Sequence, residues 1–224
     1  MKVSIVIPAY NEEKMIAVCL QSLKQQTCQA DEIIVVDNNC VDATASIALD
    51  FGVKVIREEK QGIAQARGCG FDAATGDIIL RCDADTIALP DWVMKTKNHF
   101  EKYNSDAVTG PCFMHDRGYG KAFGYLHRVS FFWASRLFQG HHTLFGSNMA
   151  LKKSAWEKVK NEVCLDNKAM HEDIDLARHL VLKGCSVAYD PTILASISGR
   201  RMSDSLPNLF KYVRRWFRTM RLHS

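Results

Sequence analysis

The chain has 224 residues, 47% hydrophobic and 24% charged, with a net charge of +4. This balance excludes a disordered or fibrous chain, and the length suits one substantial core better than two. No stretch reaches the roughly 20 apolar residues that cross a bilayer. The most apolar segment, 122–138, is interrupted by His127, Arg128 and Arg136.

Taken in order, the first third alternates between two periodicities. Residues 3–7 form a buried-strand pattern that starts directly at the N-terminus, with no leader pattern before it. Asn11 is placed to cap a helix with Glu12 and Glu13 in its first turn. Met15, Ile16, Cys19, Leu20 and Leu23 supply the apolar face of that helix. Strands at 33–36, 53–56 and 78–82 alternate with helices at 42–51 and 63–74, and Gly52 and Gly76 are natural stops. Such alternation predicts parallel strands joined by right-handed crossovers. Ligands of parallel sheets bind beyond the carboxyl ends of the strands. That rule points to residues 8–12, 37–42, 57–62 and 83–86.

The second half is less regular. The pattern predicts helices at 92–103 and 172–183, the latter closed by Gly184, and strands at 107–110 and 146–151. Residues 187–189 and 193–197 read as edge strands. The aromatic-rich segment 118–138 starts as a loop and turns helical. Its aromatics fit a membrane contact, an acceptor-pocket wall or plain core. His141 and His142 read as a solvent-facing loop pair, with metal or acceptor contact as the alternative. The eight cysteines include no Cys-x-x-Cys pair and read as reduced, mostly buried thiols of a cytoplasmic protein.

Between Arg200 and Arg221 lie six arginines and Lys211 against Asp204 alone. Leu206, Leu209, Phe210, Val213, Trp216, Phe217 and Met220 recur at helical spacing beside that charge. A basic amphipathic helix of this kind suits either an anionic membrane surface or packing on the domain. Pairing of the basic face with a large apolar stripe argues against nucleic acid. The expected organisation is one domain, 1–200, with halves at 1–110 and 111–200. The basic helix, 201–224, follows it.

Asp83 and Asp85 carry the strongest chemical signal. Two carboxylates two residues apart past a buried strand can offer oxygen ligands to Mg²⁺ or Mn²⁺ while leaving positions for diphosphate oxygens. A solvated turn is the competing reading. Asp37 ends the second strand, where a carboxylate can bind a ribose or a base edge. Asp42 can instead cap the following helix. Glu172 and Asp173 open a helix, where the dipole alone favours acids; a carboxylate facing the same cleft as Asp85 would serve as a general base.

These stretches occur together and in one order: Val6-Ile-Pro-Ala-Tyr-Asn-Glu12, Ile34-Val-Val-Asp37 with Asp42 beyond it, Gly62-Ile-Ala-Gln-Ala-Arg67, Gly76-Asp-Ile-Ile-Leu-Arg-Cys-Asp-Ala-Asp85, Gly146-Ser-Asn-Met-Ala150 and Glu172-Asp173. Over residues 3–190 the chain resembles a family 2 glycosyltransferase of the GT-A fold, an α/β architecture with a mostly parallel central sheet flanked by helices. The resemblance implies a UDP- or GDP-linked sugar donor bound by Pro8, Ala9, Tyr10, Glu12, Asp37, Asn39 and Arg67, with Asp83 and Ala84 beside it. It implies Mn²⁺ or Mg²⁺ at Asp85 and Asp173 as the base, with Glu172 adjacent. The reaction it implies is inverting transfer of one hexose-like sugar to a hydroxyl or lipid-phosphate acceptor on a glycan or lipid-linked precursor. Contact with the inner face of the cell membrane would go with the basic helix. The Tyr212-Val-Arg-Arg-Trp216 stretch lacks the glutamine of the Gln-x-x-Arg-Trp motif in processive synthases, so single transfer is expected, with Arg214 or Arg215 placed to reach the diphosphate. Two alternatives are a sugar-1-phosphate nucleotidyltransferase and a non-catalytic docking relative. The first is disfavoured by the acidic, glycine-free loop 8–13, and the second by retention of Asp37, Asp83, Asp85 and Asp173.

Overall fold

The computed structural model describes residues 1–116, 118, 132–165 and 171–200. The expected basic helix at 201–224 and most of the aromatic segment lie outside the described residues. The first half follows the sequence pattern: β1 (Val3–Ala9), α1 (Ile16–Lys24), β2 (Glu32–Asp37), α2 (Thr44–Asp50), β3 (Lys54–Arg57), α3 (Ile63–Ala73) and β4 (Ile78–Arg81). The second half runs β5 (Ile87–Ala88), α4 (Trp92–Lys102), β6 (Ala107–Thr109), β7 (Cys112–Met114), α5 (Ala134–Gln139), β8 (Met149–Lys152), α6 (Lys153–Val159), α7 (Glu172–Leu182), β9 (Val187–Tyr189) and β10 (Ala195–Ile197).

Among the described residues, seven strands form the main sheet in the order β3-β2-β1-β4-β8-β6-β9. The pairs β3–β2, β2–β1 and β1–β4 are parallel, and β8 runs antiparallel to both neighbours. The strand order reverses direction at β1 and β4, so their carboxyl ends open a crevice, the usual ligand position in an open α/β sheet. A second sheet has the order β5-β10-β7. Here β10 is the central strand, not an edge as its sequence suggests; β9 does lie at the edge of the main sheet.

Period-two alternation gives the sheet two apolar faces. Val3, Ile5, Ile7 and Leu80 face α1, Trp92 and Val93, whereas Val6, Val36 and Ile79 face Phe71, Trp156, Leu176 and Leu180. Helix α3 lies close against β1 and β2 because Gly70 has no side chain. A Cβ there would sit 2.3 Å from Val6 Cγ1 and 2.8 Å from Val36 Cγ2. Glycine inside a helix costs about 1 kcal/mol relative to alanine, but overpacking costs about 1–3 kcal/mol, so close packing wins.

Three local expectations are corrected. Asn11 does not cap α1, which begins at Ile16; it adopts a left-handed φ of 54° and accepts a hydrogen bond from Val41 N–H at 2.9 Å, tying the loop after β1 to the loop after β2. Residues 146–148 form a turn rather than the start of a strand, because the Gly146 N–H and the Ser147 and Asn148 side chains are recruited by neighbouring elements. The eight cysteines form no disulfide, but only Cys19, Cys82, Cys112 and Cys185 are buried, so the others are more exposed than expected.

Candidate functional site

The loops after β1, β2, β3 and β4 wall a cleft of about 390 Å³ lined by Pro8, Ala9, Tyr10, Glu12, Asn38, Gln61, Ile63, Ala66, Asp83 and Ala84. It lies at the strand reversal. The loop after β1 is held by a relay: Glu12 N–H donates to Thr44 Oγ1 at 2.7 Å, and that hydroxyl donates to Asp42 Oδ1 at 2.5 Å. Asp42 also accepts from the Glu13 and Thr44 N–H groups; burial would raise its pKa, but the Thr44 hydroxyl and then these N–H groups hold the carboxyl below the ordinary aspartate value. Asp42 therefore braces this loop and opens α2.

Asn38, not Asn39, faces the cleft. Its amide donates to the carbonyls of Glu58 and Lys60 at 2.9 and 2.8 Å, and its oxygen accepts from Gly62 N–H at 2.7 Å. The loop after β3 is thus clamped over the β2 end. Asn39, with a left-handed φ of 64°, points to Glu59 O. Asp37 is buried behind the wall, accepting from Cys40 N–H at 2.8 Å, with Arg57 at 3.8 Å.

The β4 end separates its two acids. Thr86 N–H bonds to Asp83 O at 3.0 Å, closing a turn. Asp83 turns toward Arg81 at 3.2 Å and accepts from Ser147 Oγ. Asp85, buried, turns toward Arg200 at 3.4 Å. The two carboxylates expected to share one volume thus have different cationic partners.

Arg67 does not reach the cleft. It is fully buried, donates to the carboxylate and carbonyl of Glu172, and lies over the Trp156 ring. Arg81, also buried, donates to the other Glu172 oxygen. Burial alone would raise the Glu172 pKa, but Arg81 and then Arg67 outweigh it and hold the carboxyl below its ordinary value. Glu172 is therefore an ionised anchor, not a free base. Asp173 is half-buried and differs. Burial, then the neighbouring Glu172 charge, raises its pKa, opposed by His171, the Gly146 N–H and Arg81. Adjacent acids with pKa values driven apart mark divided roles.

The turn 146–148 joins these parts. Gly146 N–H donates to Asp173 Oδ2 at 3.1 Å, and Ser147 holds Asp83. A Cβ on Gly146 would meet the Arg81 guanidinium at 2.9 Å. Asn148 is buried, accepts from Trp92 Nε1 at 2.8 Å and donates to Ile193 O at 2.8 Å. The Gly-Ser-Asn run thus holds the helix-start acids against the β4 end. Arg81, Ser147 and Arg200 are site residues that pattern reading missed. The signal for Arg81 was a charge in an otherwise apolar strand.

His141 and His142 are not solvent-facing. Both are half-buried, burial lowers both pKa values, and His142 stacks on Tyr189 with centroids 6.0 Å apart.

A divalent metal fits the β4 end. Asp85 and Glu12 are both buried and both meet the Arg200 guanidinium, so the fold itself places positive charge there. Among the described residues no group of three His, Cys, Asp or Glu side chains could hold a metal. One or two carboxylates completed by substrate oxygens and water is the usual arrangement for Mg²⁺.

The mostly parallel central sheet flanked by helices is a fold of the GT-A type. The model of the glycosyl transferase family 2 matches residues 4–159, and the chain belongs to that family. A Bacillus subtilis protein named "Putative glycosyltransferase EpsH" is 39% identical over 95 residues, covering 40% of this chain and 28% of that protein. Glycosyltransferase GlyG of Streptococcus pneumoniae is 30% identical over 130 residues, covering 55% and 43%. The chain thus spans under half the length of these relatives. Among solved structures, the mannosyltransferase PcManGT of Pyrobaculum calidifontis, in complex with GDP-Man and Mn²⁺, superposes with a TM-score of 0.76 at 19% identity, covering 97% of this chain and 62% of that one. Glucosyl-3-phosphoglycerate synthase of Mycobacterium tuberculosis, in complex with Mn²⁺, UDP and glucosyl-3-phosphoglycerate, gives 0.67 at 20% identity, covering 99% and 79%.

Proposed function

We propose that the protein transfers one sugar from a nucleoside-diphosphate sugar to an acceptor hydroxyl, with inversion at the anomeric carbon. The observation that carries this reading is the half-buried Asp173 carboxyl, its pKa raised, held by the Gly146-Ser147 turn next to the donor-side acid Asp83. The cleft after β1 and β2 takes the nucleotide. A divalent cation at Asp85, when bound, neutralises the charge that develops on the departing diphosphate. Asp173 accepts the acceptor hydroxyl proton while that oxygen bonds to the anomeric carbon and the bond to diphosphate breaks, its electron pair leaving on the diphosphate. Arg81 and Glu172 hold the base helix and Asp83 in register. Complexes of relatives with GDP-Man and with UDP support UDP- or GDP-linked donors. The acceptor is a glycan or a lipid-linked precursor, and the arginine-rich segment 201–224 suits contact with an anionic cytoplasmic membrane face. No described helix is long and apolar enough to cross a membrane.

The test is thermal unfolding with UDP or GDP, with and without Mn²⁺. A ligand at a hundredfold excess over its Kd stabilises by about 2.7 kcal/mol. One nucleotide is expected to raise the melting temperature only with Mn²⁺, and Asp85→Asn is expected to abolish the increase. If no nucleotide shifts unfolding under either condition, the donor-site reading is wrong.

The pH profile follows from Asp173. A base works deprotonated, so activity is expected to rise with pH through the raised folded pKa, placing the acid limb above the ordinary aspartate range near 3.9. The stability contribution has the opposite sense. It is fully present below the unfolded pKa and is lost as pH rises through the folded one. An acid limb that stays in place in Asp173→Glu and lies in the ordinary range would assign it to another group.

A further inference from the structure

Arg200 follows β10, and its position is fixed by local bonds. Gly199 N–H donates to Asp116 Oδ1 at 2.7 Å, and Ser198 Oγ donates to Asp116 Oδ2 at 2.7 Å. From there its guanidinium reaches Glu12, from the loop after β1, and Asp85, from the loop after β4. The two acids are only 4% and 6% exposed, whereas the Arg200 side chain is 36% exposed. Two nearly buried carboxylates from different loops repel unless a cation lies between them, and desolvation worsens that repulsion. The chain supplies such a cation from its most solvated member, the one side chain of the three that can withdraw without opening the core.

We infer that Arg200 is the resident counter-ion of the donor site. It holds Glu12 and Asp85 together before metal arrives, yields Asp85 to the metal, and stays beside Glu12 as a cationic contact for the donor diphosphate. This inference rests on the reading that Asp85 takes the metal. It gives Arg200 two effects of opposite sign, opposing metal alone and favouring the nucleotide.

The experiment measures Mn²⁺ affinity without nucleotide, by paramagnetic resonance of free Mn²⁺, and UDP or GDP affinity at saturating Mn²⁺, by calorimetry. Wild type, Arg200→Gln, Arg200→Lys and Asp85→Asn are compared. Arg200→Gln is expected to bind Mn²⁺ on the order of thirtyfold tighter, the factor that removal of one charge about 4 Å from a divalent cation gives through water. It is expected to bind the nucleotide roughly tenfold more weakly, as loss of a charge-assisted hydrogen bond implies. Arg200→Lys keeps the charge and is expected to remain near wild type in both. If either affinity of Arg200→Gln is unchanged, or if Arg200→Lys behaves as Arg200→Gln, the counter-ion role is overturned. If Asp85→Asn binds Mn²⁺ like wild type, the metal assignment itself fails. If Asp85→Asn loses Mn²⁺ while Arg200→Gln is unaltered, only the Arg200 inference fails.

Discussion

Asp173→Asn is expected to lower kcat by about 10³-fold, within the range that a positioned general base contributes, while the Mn²⁺-dependent affinity for nucleotide stays near wild type. The amide can still accept from Gly146 N–H but cannot take a proton. Its effect on stability distinguishes a chemical role from a structural one. The folded pKa of Asp173 is raised by burial and by Glu172, so at neutral pH its ionised form opposes folding. Asp173→Asn should therefore unfold at the same or a higher temperature while losing turnover. Turnover of the donor identified by thermal unfolding, measured alongside a melting curve, checks both. A variant that keeps more than a tenth of wild-type kcat removes Asp173 from the base role. One that loses activity and stability together makes it a structural acid.

Arg81→Met is expected to be the most destabilising single change near the site. Arg81 is buried at the end of β4 and pairs with Glu172 and Asp83, with Asp173 close enough to hold its guanidinium further toward the charged form. Without it, Glu172 keeps only Arg67 as a cationic partner, and Asp83 loses the guanidinium beside it. Removing one partner of a buried ion pair costs about 3–5 kcal/mol, because the remaining charge is stranded. For a chain of this size that lowers the melting temperature by roughly 6–20 °C. Arg81→Lys should recover only part, since an ammonium cannot span both carboxylates as a planar fork does. Arg81→Met combined with Glu172→Gln should cost less than the sum of the two single changes, the signature of direct coupling. Unfolding of Arg81→Met within about 1 kcal/mol of wild type, measured in denaturant, would show that the cluster is not a structural unit.

The two predictions probe groups that differ in how readable they were. Asp173 stood out because it opens a helix pattern next to Glu172, and both acids fall within a recognisable ordered set of motifs. Their division of labour was not readable. Glu172 and Asp173 are neighbours with similar intrinsic acidity, and only the inward turn of Glu172 onto Arg67 and Arg81 separates an anchor from a base. Arg67 shows the same limit. It lies on a helix that starts at the cleft, yet its side chain turns into the packing between α3, Trp156 and the start of α7, where it meets Glu172, 105 residues later. Asn38 and Asn39 are adjacent, and a left-handed φ at Asn39 decides that Asn38 faces the cleft.

Local chemistry alone determined the repeating units of the first half. The apolar runs of β1, β2 and β4 are long enough to be buried strands, the 3.6-residue faces of α1 and α3 demand a sheet to pack on, and Gly52 supplies the left-handed backbone just past α2. Short elements escaped because a two- or three-residue strand such as β5 or β7 carries no measurable period, and α6 follows β8 without a break. The order of the strands, the antiparallel placement of β8 and the convergence of residues 12, 85 and 200 were decided only by the tertiary structure. These depend on contacts between residues distant in the chain, whose energies come from burial and charge pairing across elements, and no local pattern records which distant partner a side chain will meet.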